Sequence, residues 1–382
     1  MYFCKMKNLT LTIALVLSQI LLFAQCPPGD LIFSSQAQVD DFGISYPNCN
    51  EFPGGITITG NVLNLNGLSG LTSIGGDLNF LYNVQLSNMT GLTNLTSVGG
   101  NVSIIENYTM ISLVGLNSLS TIGGYLYINR NNMLISVSGL NSLTSVGDGL
   151  SISESASLTN VGGLNSLTYV GTAFEIFNCP SLSSLSGLEN LASIDGYCKI
   201  ENNDALTSIA GFEGLTSIGG ELSIRSNYVL TSLSGLDNVD AESINGLSIY
   251  SNFLLSSCEV LSICNYLANP GGSILISNNA TGCKTQEEVE TACEWVSVGE
   301  LNPASAFSIY PNPGTSSITL ETPKLNHDAT LTITQTNGQE LISRQIKEIK
   351  TTIDISHLTA GMYIVRLQSS KGIAIQKLVV NK

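Results

Sequence analysis

A glycine stands at Gly67, Gly91, Gly115, Gly139, Gly163, Gly187, Gly211 and Gly235, and every interval between them is 24 residues. A fixed period of this length marks a solenoid, whose repeats bury their apolar faces only by stacking on one another. Counted from that glycine, apolar residues fall at offsets +1, +4, +7, +11, +13, +19 and +22, for example Phe212, Leu215, Ile218, Leu222, Ile224, Leu230 and Leu233. Offsets +11 and +13 alternate with polar neighbours, which is the pattern of a half-buried strand. The +13 column reads Phe80, Ile104, Ile128, Ile152, Ile176, Ile200 and Ile224, with Ile249 after a one-residue slip. β-Branched residues suit a pleated surface, so this column predicts a parallel sheet. Gly-Gly at +8 and +9, and the lack of any long amphipathic stretch, argue against helices between the glycines. The expected fold is all-β: a 24-residue-repeat parallel β-solenoid. Eight or nine turns at strand spacing would make a rod about 40 Å long.

A second column, at +16, carries Asn83, Asn107, Asn131, Ser155, Cys179, Asn203 and Asn227. Stacked asparagine amides bond neighbouring backbone groups, so a structural ladder is expected ahead of an asparagine-lined groove. The Thr/Ser pairs at +5 and +6 are expected to satisfy turns. Adjacent residues on a strand point opposite ways, which disfavours a flat hydroxyl face for ordering water.

The outward offsets +10, +12, +14 and +15 are where the repeat stops repeating. They hold Asp77, Asn79, Leu81, Tyr82, Ile105, Glu106, Tyr125, Tyr127, Asn129 and Arg130, then Glu175, Phe177, Tyr197, Lys199, Glu201, Glu221 and Arg225. One reading is a solvated face of cross-strand charge pairs. The other is a ligand-binding face, whose mixed aromatic and charged composition is that of recognition surfaces. The candidate ligand residues are Tyr125, Tyr127, Arg130, Glu175, Phe177, Tyr197, Lys199, Glu201, Glu221 and Arg225.

Charge and histidine content narrow the chemistry. From Gln25 to Glu300 there are four basic residues against 24 acidic ones, whereas from Leu301 onward there are eight basic and five acidic. An acidic body repels phosphate backbones, which excludes nucleic acid as an expected partner. Both histidines, His327 and His357, lie near the C-terminus. The body therefore lacks the base for Ser/His or Cys/His catalysis and the ligand for a histidine-bound metal. Carboxylates alone remain, so no enzyme, metal or cofactor is expected, and a carboxylate-dependent polysaccharide-active enzyme is the weaker alternative.

Residues 1–24 form an expected signal peptide, with Lys5 and Lys7 ahead of "LTLTIALVLSQILLF" and Ala24 before the cut. A lipidated Cys26 is a poorer reading, because Gln25 stands where a small residue is required. Export leaves eight cysteines in an oxidising compartment. Cys26 and Cys49 precede the repeats, and Cys258, Cys264, Cys283 and Cys293 follow them. The last four allow three connectivities. Cys179 and Cys198, within the repeats, are either a disulfide or two apolar core fillers.

From Cys49 to Trp295 the pattern LxxLxSIGGxLxIxxNxxLxSLxGL resembles the receptor L domain, a relative of leucine-rich repeats. In "LSIRSNYVL" two residues separate Asn from the next Leu, as in that family. The resemblance implies a binding or adhesion role and transfers no catalytic residue. It also implies disulfide-bearing ends, with Cys26–Cys49 in the first cap. The expected division is 25–66 for the N-terminal cap and first turn and 67–257 for the repeats. A C-terminal cap follows at 258–295, with a short helix from about Thr285 to Cys293, then a linker at 296–306.

From 307 to 382 the texture changes to six or seven short alternating strands, the pattern of a small C-terminal β-sandwich. Asn337-Gly338 between two alternating runs is a hairpin signal. The segment resembles the C-terminal sorting domain of type IX secretion through Tyr310-Pro311-Asn312-Pro313, the hairpin with Gly338, "IDISHLTAGMYIVRL" with Gly361 and Tyr363, and the terminal "QKLVVNK". That resemblance implies the type IX machinery and a surface sortase-like peptidase as partners. It also implies attachment to outer-membrane lipopolysaccharide or release, at the outer surface of a Gram-negative bacterium. The expected function is a secreted, surface-displayed, non-enzymatic binding or adhesion protein for an unknown glycan or protein ligand. A structural envelope spacer is the alternative.

Overall fold

The computed structural model describes residues 26–296, 307–322, 329–335, 339–369 and 372–382. The expected signal peptide, the linker beyond Val296, and Gly338 lie outside them. The chain forms two compact units, the repeat region and a unit holding the C-terminal β region.

In the repeats, stacked +11 and +13 columns become an 11-stranded parallel sheet in strictly sequential order. Its strands are β1 (Leu31–Ser35), β2 (Ile56–Asn61), β3 (Leu78–Leu81), β4 (Val102–Ile105), β5 (Leu126–Asn129), β6 (Gly149–Ser153), β7 (Ala173–Phe177), β8 (Tyr197–Glu201), β9 (Glu221–Arg225), β10 (Gly246–Tyr250) and β11 (Ser273–Ser277). The added strands come from the two ends, where β1, β2, β10 and β11 extend the sheet beyond the regular period. Offsets +6 and +7 form a second parallel sheet of eight two-residue strands, from Glu51–Phe52 to Ser217–Ile218. Inward residues of both sheets, such as Ile152, Ile176, Ile194 and Ile218, are fully buried. The core is thus one continuous set of apolar columns, to which each turn contributes and which no turn closes alone.

The period-setting glycine has a steric cause. A Cβ on Gly163 would stand 2.1 Å from Val137 O of the preceding turn, so only glycine lets successive turns approach this closely. At +15 the chain turns out of the main sheet in the left-handed region. Tyr82, Glu106, Arg130, Glu154, Asn178, Asn202, Ser226, Ser251 and Asn278 all have φ between 50 and 60°.

The +16 asparagines do form a ladder, and each reaches back to the preceding turn. Asn203 Nδ2 donates to Ile176 O at 3.0 Å, while its Oδ1 accepts from the backbone N–H of Cys179 at 3.1 Å. Asn107, Asn131, Asn227, Asn252 and Asn279 repeat the arrangement. The hydroxyls at +5 make a parallel ladder: Thr96 Oγ1 donates to Thr72 O, and Ser120, Thr144 and Thr168 do likewise, all at 2.9–3.0 Å. The asparagines satisfy buried backbone and the hydroxyls satisfy exposed turn carbonyls, which is why both repeat.

Both ends are cross-linked. Cys26–Cys49 closes the N-terminal end, which leaves the Cys26 sulfur unavailable for lipidation. Helix α1 (Gln36–Ser45) lies over the first turn, burying Val39 and Phe42, and Phe42 packs edge-on against Phe33 and Phe52. After the repeats come α2 (Leu261–Ala268) and α3 (Gln286–Val296), with disulfides Cys258–Cys283 and Cys264–Cys293. The helix expected at the C-terminal cap therefore forms, and α2 adds one that the sequence did not suggest. Cys179 and Cys198 are free thiols, both fully buried in the core.

Among the described residues the C-terminal unit contains seven antiparallel strands: β12 (Ser308–Tyr310), β13 (Ser317–Glu321), β14 (Ala329–Gln335), β15 (Glu340–Ile346), β16 (Lys350–Asp354), β17 (Gly361–Ser369) and β18 (Gly372–Val380). Sheets β12-β13-β16 and β15-β14-β17-β18 enclose a core that includes Ile318, Leu320, Leu331, Ile333, Val365 and Leu378.

Candidate ligand-binding face

The parallel register of the main sheet sets its outward residues in rows. One row runs Tyr127, Ser151, Glu175, Lys199 and a second runs Asn129, Ser153, Phe177, Glu201, Arg225. Beside them Tyr125, Gly149, Ala173 and Tyr197 make a third. Large side chains thus flank a strip of small ones. Gly149, Ser151, Ser153 and Ala173 face outward, yet Ser151, Ser153 and Ala173 keep 9%, 3% and 4% of their surface, because neighbouring side chains cover them. Tyr125 does so visibly. A Cβ on Gly149 would meet its Cε1 at 2.4 Å, and its hydroxyl lies 2.8 Å from Thr172 Oγ1, two turns away. The rings of Tyr125 and Tyr127 are stacked, 5.0 Å apart and 7° from parallel.

Electrostatics divide this face in two. On one side Lys199 Nζ lies 2.9 Å from Glu201 and 4.0 Å from Glu175, and 4.7 Å above the Phe177 ring. Arg225 donates to Glu201 at 2.8 Å and to the Tyr250 hydroxyl at 2.7 Å. Burial pushes Glu201 up, but hydrogen bonds from Lys199 and Arg225 outweigh it and hold the carboxyl below its ordinary value. On the other side Tyr197 is pushed up to about 12, first by burial and then by the Glu175 carboxylate beside it. Tyr127 is raised as well, by burial and the neighbouring Tyr125 and Glu175. Tyr127 and Tyr197 are therefore neutral at physiological pH.

The sequence candidates fall into three groups. Tyr125, Tyr127, Glu175 and Tyr197 come together, and Phe177, Lys199, Glu201 and Arg225 adjoin them. Arg130 sits apart at a +15 corner, bonded to Glu154 at 2.7 Å and Glu106 at 3.2 Å. Glu221 starts its strand exposed and accepts from Ser248 Oγ. Sequence reasoning overlooked Tyr250, Thr172 and the small strip under the tyrosines. Tyr250 could have been found from its position, opposite Arg225 after the one-residue slip.

The C-terminal unit has its own organised segment. Asn312 Nδ2 donates to Lys377 O at 2.7 Å, and its Oδ1 accepts from the N–H of Val379 at 2.9 Å, so one side chain pairs with β18 like a strand. Gly314 continues this pairing with Val379 and Asn381. Pro311 and Pro313 flank Asn312, both after cis peptide bonds. Tyr310 donates to Glu321, which also pairs with Lys350 at 2.9 Å. The buried Tyr363 donates to Thr359 O at 2.8 Å, a corner that ties the turn before β17 to the strand, and Gly361 lies opposite Val380. Residues 308–381 match the family described as the secretion system C-terminal sorting domain. The sorting domain thus begins where β12 begins and ends one residue before the C-terminus. It indicates export by type IX secretion, contact with that machinery, and a secreted or cell-surface location. No curated protein matches the chain.

Proposed function

We propose that this is a non-enzymatic binding or adhesion protein, carried to the outer surface of a Gram-negative bacterium by its sorting domain. Its ligand is recognised on the outward face of β5–β9. The observation that carries this reading is the concentration of Tyr125, Tyr127, Tyr197, Glu175 and Lys199 within the four consecutive turns of β5–β8, at the very offsets where an otherwise uniform repeat varies. The resemblance to the receptor L domain and the acidic, histidine-free body support it. Removal of the sorting domain by a surface sortase-like peptidase, followed by attachment to lipopolysaccharide or release, completes the route.

Catalysis is disfavoured because Glu201 is held ionised between two cations and cannot donate a proton. A spacer role draws on the same ion pairs, which satisfy one another without a ligand. Probing a glycan and host-protein array with the secreted full-length protein separates the two, since a spacer binds nothing at micromolar concentration. Hydrolysis of a polysaccharide that disappears in Glu175→Gln would restore the enzyme.

A further inference from the structure

The cations on this face are all engaged within the face itself. Lys199 is shared by Glu175 and Glu201, Arg225 by Glu201 and the Tyr250 hydroxyl, and Arg130 by Glu106 and Glu154. No cation of these strands is left to clamp an anionic ligand, and the strongly acidic body repels polyanions. The Tyr127 and Tyr197 hydroxyls are neutral. What the face still offers is π surface and hydrogen-bonding groups, with no cation free to hold an anion.

Those groups are arranged rather than scattered. Tyr125 and Tyr127 are held parallel, Tyr125 is pinned across Gly149 by its bond to Thr172, and Tyr197 stands on the far side of the same small-residue strip. Glycine at 149 is required for this, because any side chain there would displace the Tyr125 ring. Aromatic side chains fixed in two dihedrals cost little entropy on binding and present a negative π face to polarised C–H groups. Beside them the Glu175 carboxylate and the amide of Asn129, which already donates to Ser153 Oγ at 2.8 Å, supply hydroxyl-matching partners. A pyranose has this dual character, with C–H groups on its faces and hydroxyls around its rim.

We infer that the deck formed by Tyr125, Tyr127 and Tyr197, with Glu175 and Asn129 at its edge, binds an uncharged polysaccharide by stacking its sugar rings on the tyrosines. This rests on the binding reading above and specifies its ligand class. The parallel register makes the deck one strand spacing deep per turn, so a linear chain would engage several turns at once and gain by multiple contact.

The test is calorimetric titration of the secreted full-length protein with gluco-, xylo-, manno- and galacto-oligosaccharides, and with alginate and chitosan oligomers as anionic and cationic counterparts. At least one neutral series should bind, with an affinity unchanged by added salt. Tyr127→Ala should weaken it about ten-fold, whereas Tyr127→Phe, which keeps the ring, should retain it and shows that the fold is intact. Tyr228→Ala removes a similar stacked pair elsewhere, Tyr228 with Phe253, and should change nothing. Neutral binding that survives Tyr127→Ala overturns the inference but leaves the binding reading standing. So does salt-sensitive binding of only a charged series, or binding of a protein probe with no oligosaccharide. Failure to bind any probe overturns both.

Discussion

Cys179 occupies a place that asparagine holds elsewhere in the stack. A buried asparagine accepts a backbone N–H and donates to a carbonyl of the turn before, whereas a thiol does neither well. The N–H of Ser155 is left with the Cys179 sulfur, and Ile128 O and Ile152 O receive no asparagine amide because Ser155 and Cys179 are the residues due to reach them. Replacing Cys179→Asn should restore a rung and raise stability by about 1 kcal/mol, measured by chemical unfolding. Burial also pushes Cys179 up to about 11 and Cys198 to about 12. Unfolded thiols ionise near 9, so above that pH the unfolded state has released protons that the folded state keeps. The stability present below about pH 9 is therefore lost as pH rises towards 11 and 12. Unfolding curves across that range should show a shallower loss in Cys198→Ala than in the parent chain, and an equal loss in both would refute this account.

At the scale of the turn, nine corners hold a residue other than glycine in the left-handed region, which costs about 1 kcal/mol or more for most side chains. Ser226 and Ser251 offer no ion pair in return, unlike Glu106, Arg130 and Glu154. Ser226→Gly should consequently raise the melting temperature. Gly163→Ala should lower it sharply, as its methyl would enter the backbone of the turn before. The columns of the sheet were legible in sequence because stacking forces like residues into like places. The +15 conformation was not, because Tyr, Glu, Arg, Asn and Ser all occur there and only the backbone repeats. Helices α1 and α2 occur once each, so no periodicity exposed them. In α1 a signal was present: Ser35 and Gln38 form a capping box, with Gln38 Oε1 accepting from the N–H of Ser35 at 3.1 Å. The candidate site was half legible. Its large residues interrupt the repeat, but the small strip beneath them differs only by lacking side chains and gives no positive mark.

For the molecule as a whole, the sorting domain directs its export. Deleting Ala306 to Lys382 should trap the protein in the periplasm, detected by fractionation, and surface display of the truncated chain would contradict the export route. Asn312→Ala removes both bonds to β18 and should impair export as the C-terminal strand loosens, while leaving the solenoid's thermal transition unchanged. Inside the solenoid, the interrupted asparagine column has a mechanical meaning. A protein on a cell surface bears shear, and turns joined by bonds running along the stack part under tension where those bonds are fewest. The step between the turns of Ser155 and Cys179 lacks the asparagine rung, so along that column the load falls on the sheet ladder and the Thr168–Thr144 bond instead.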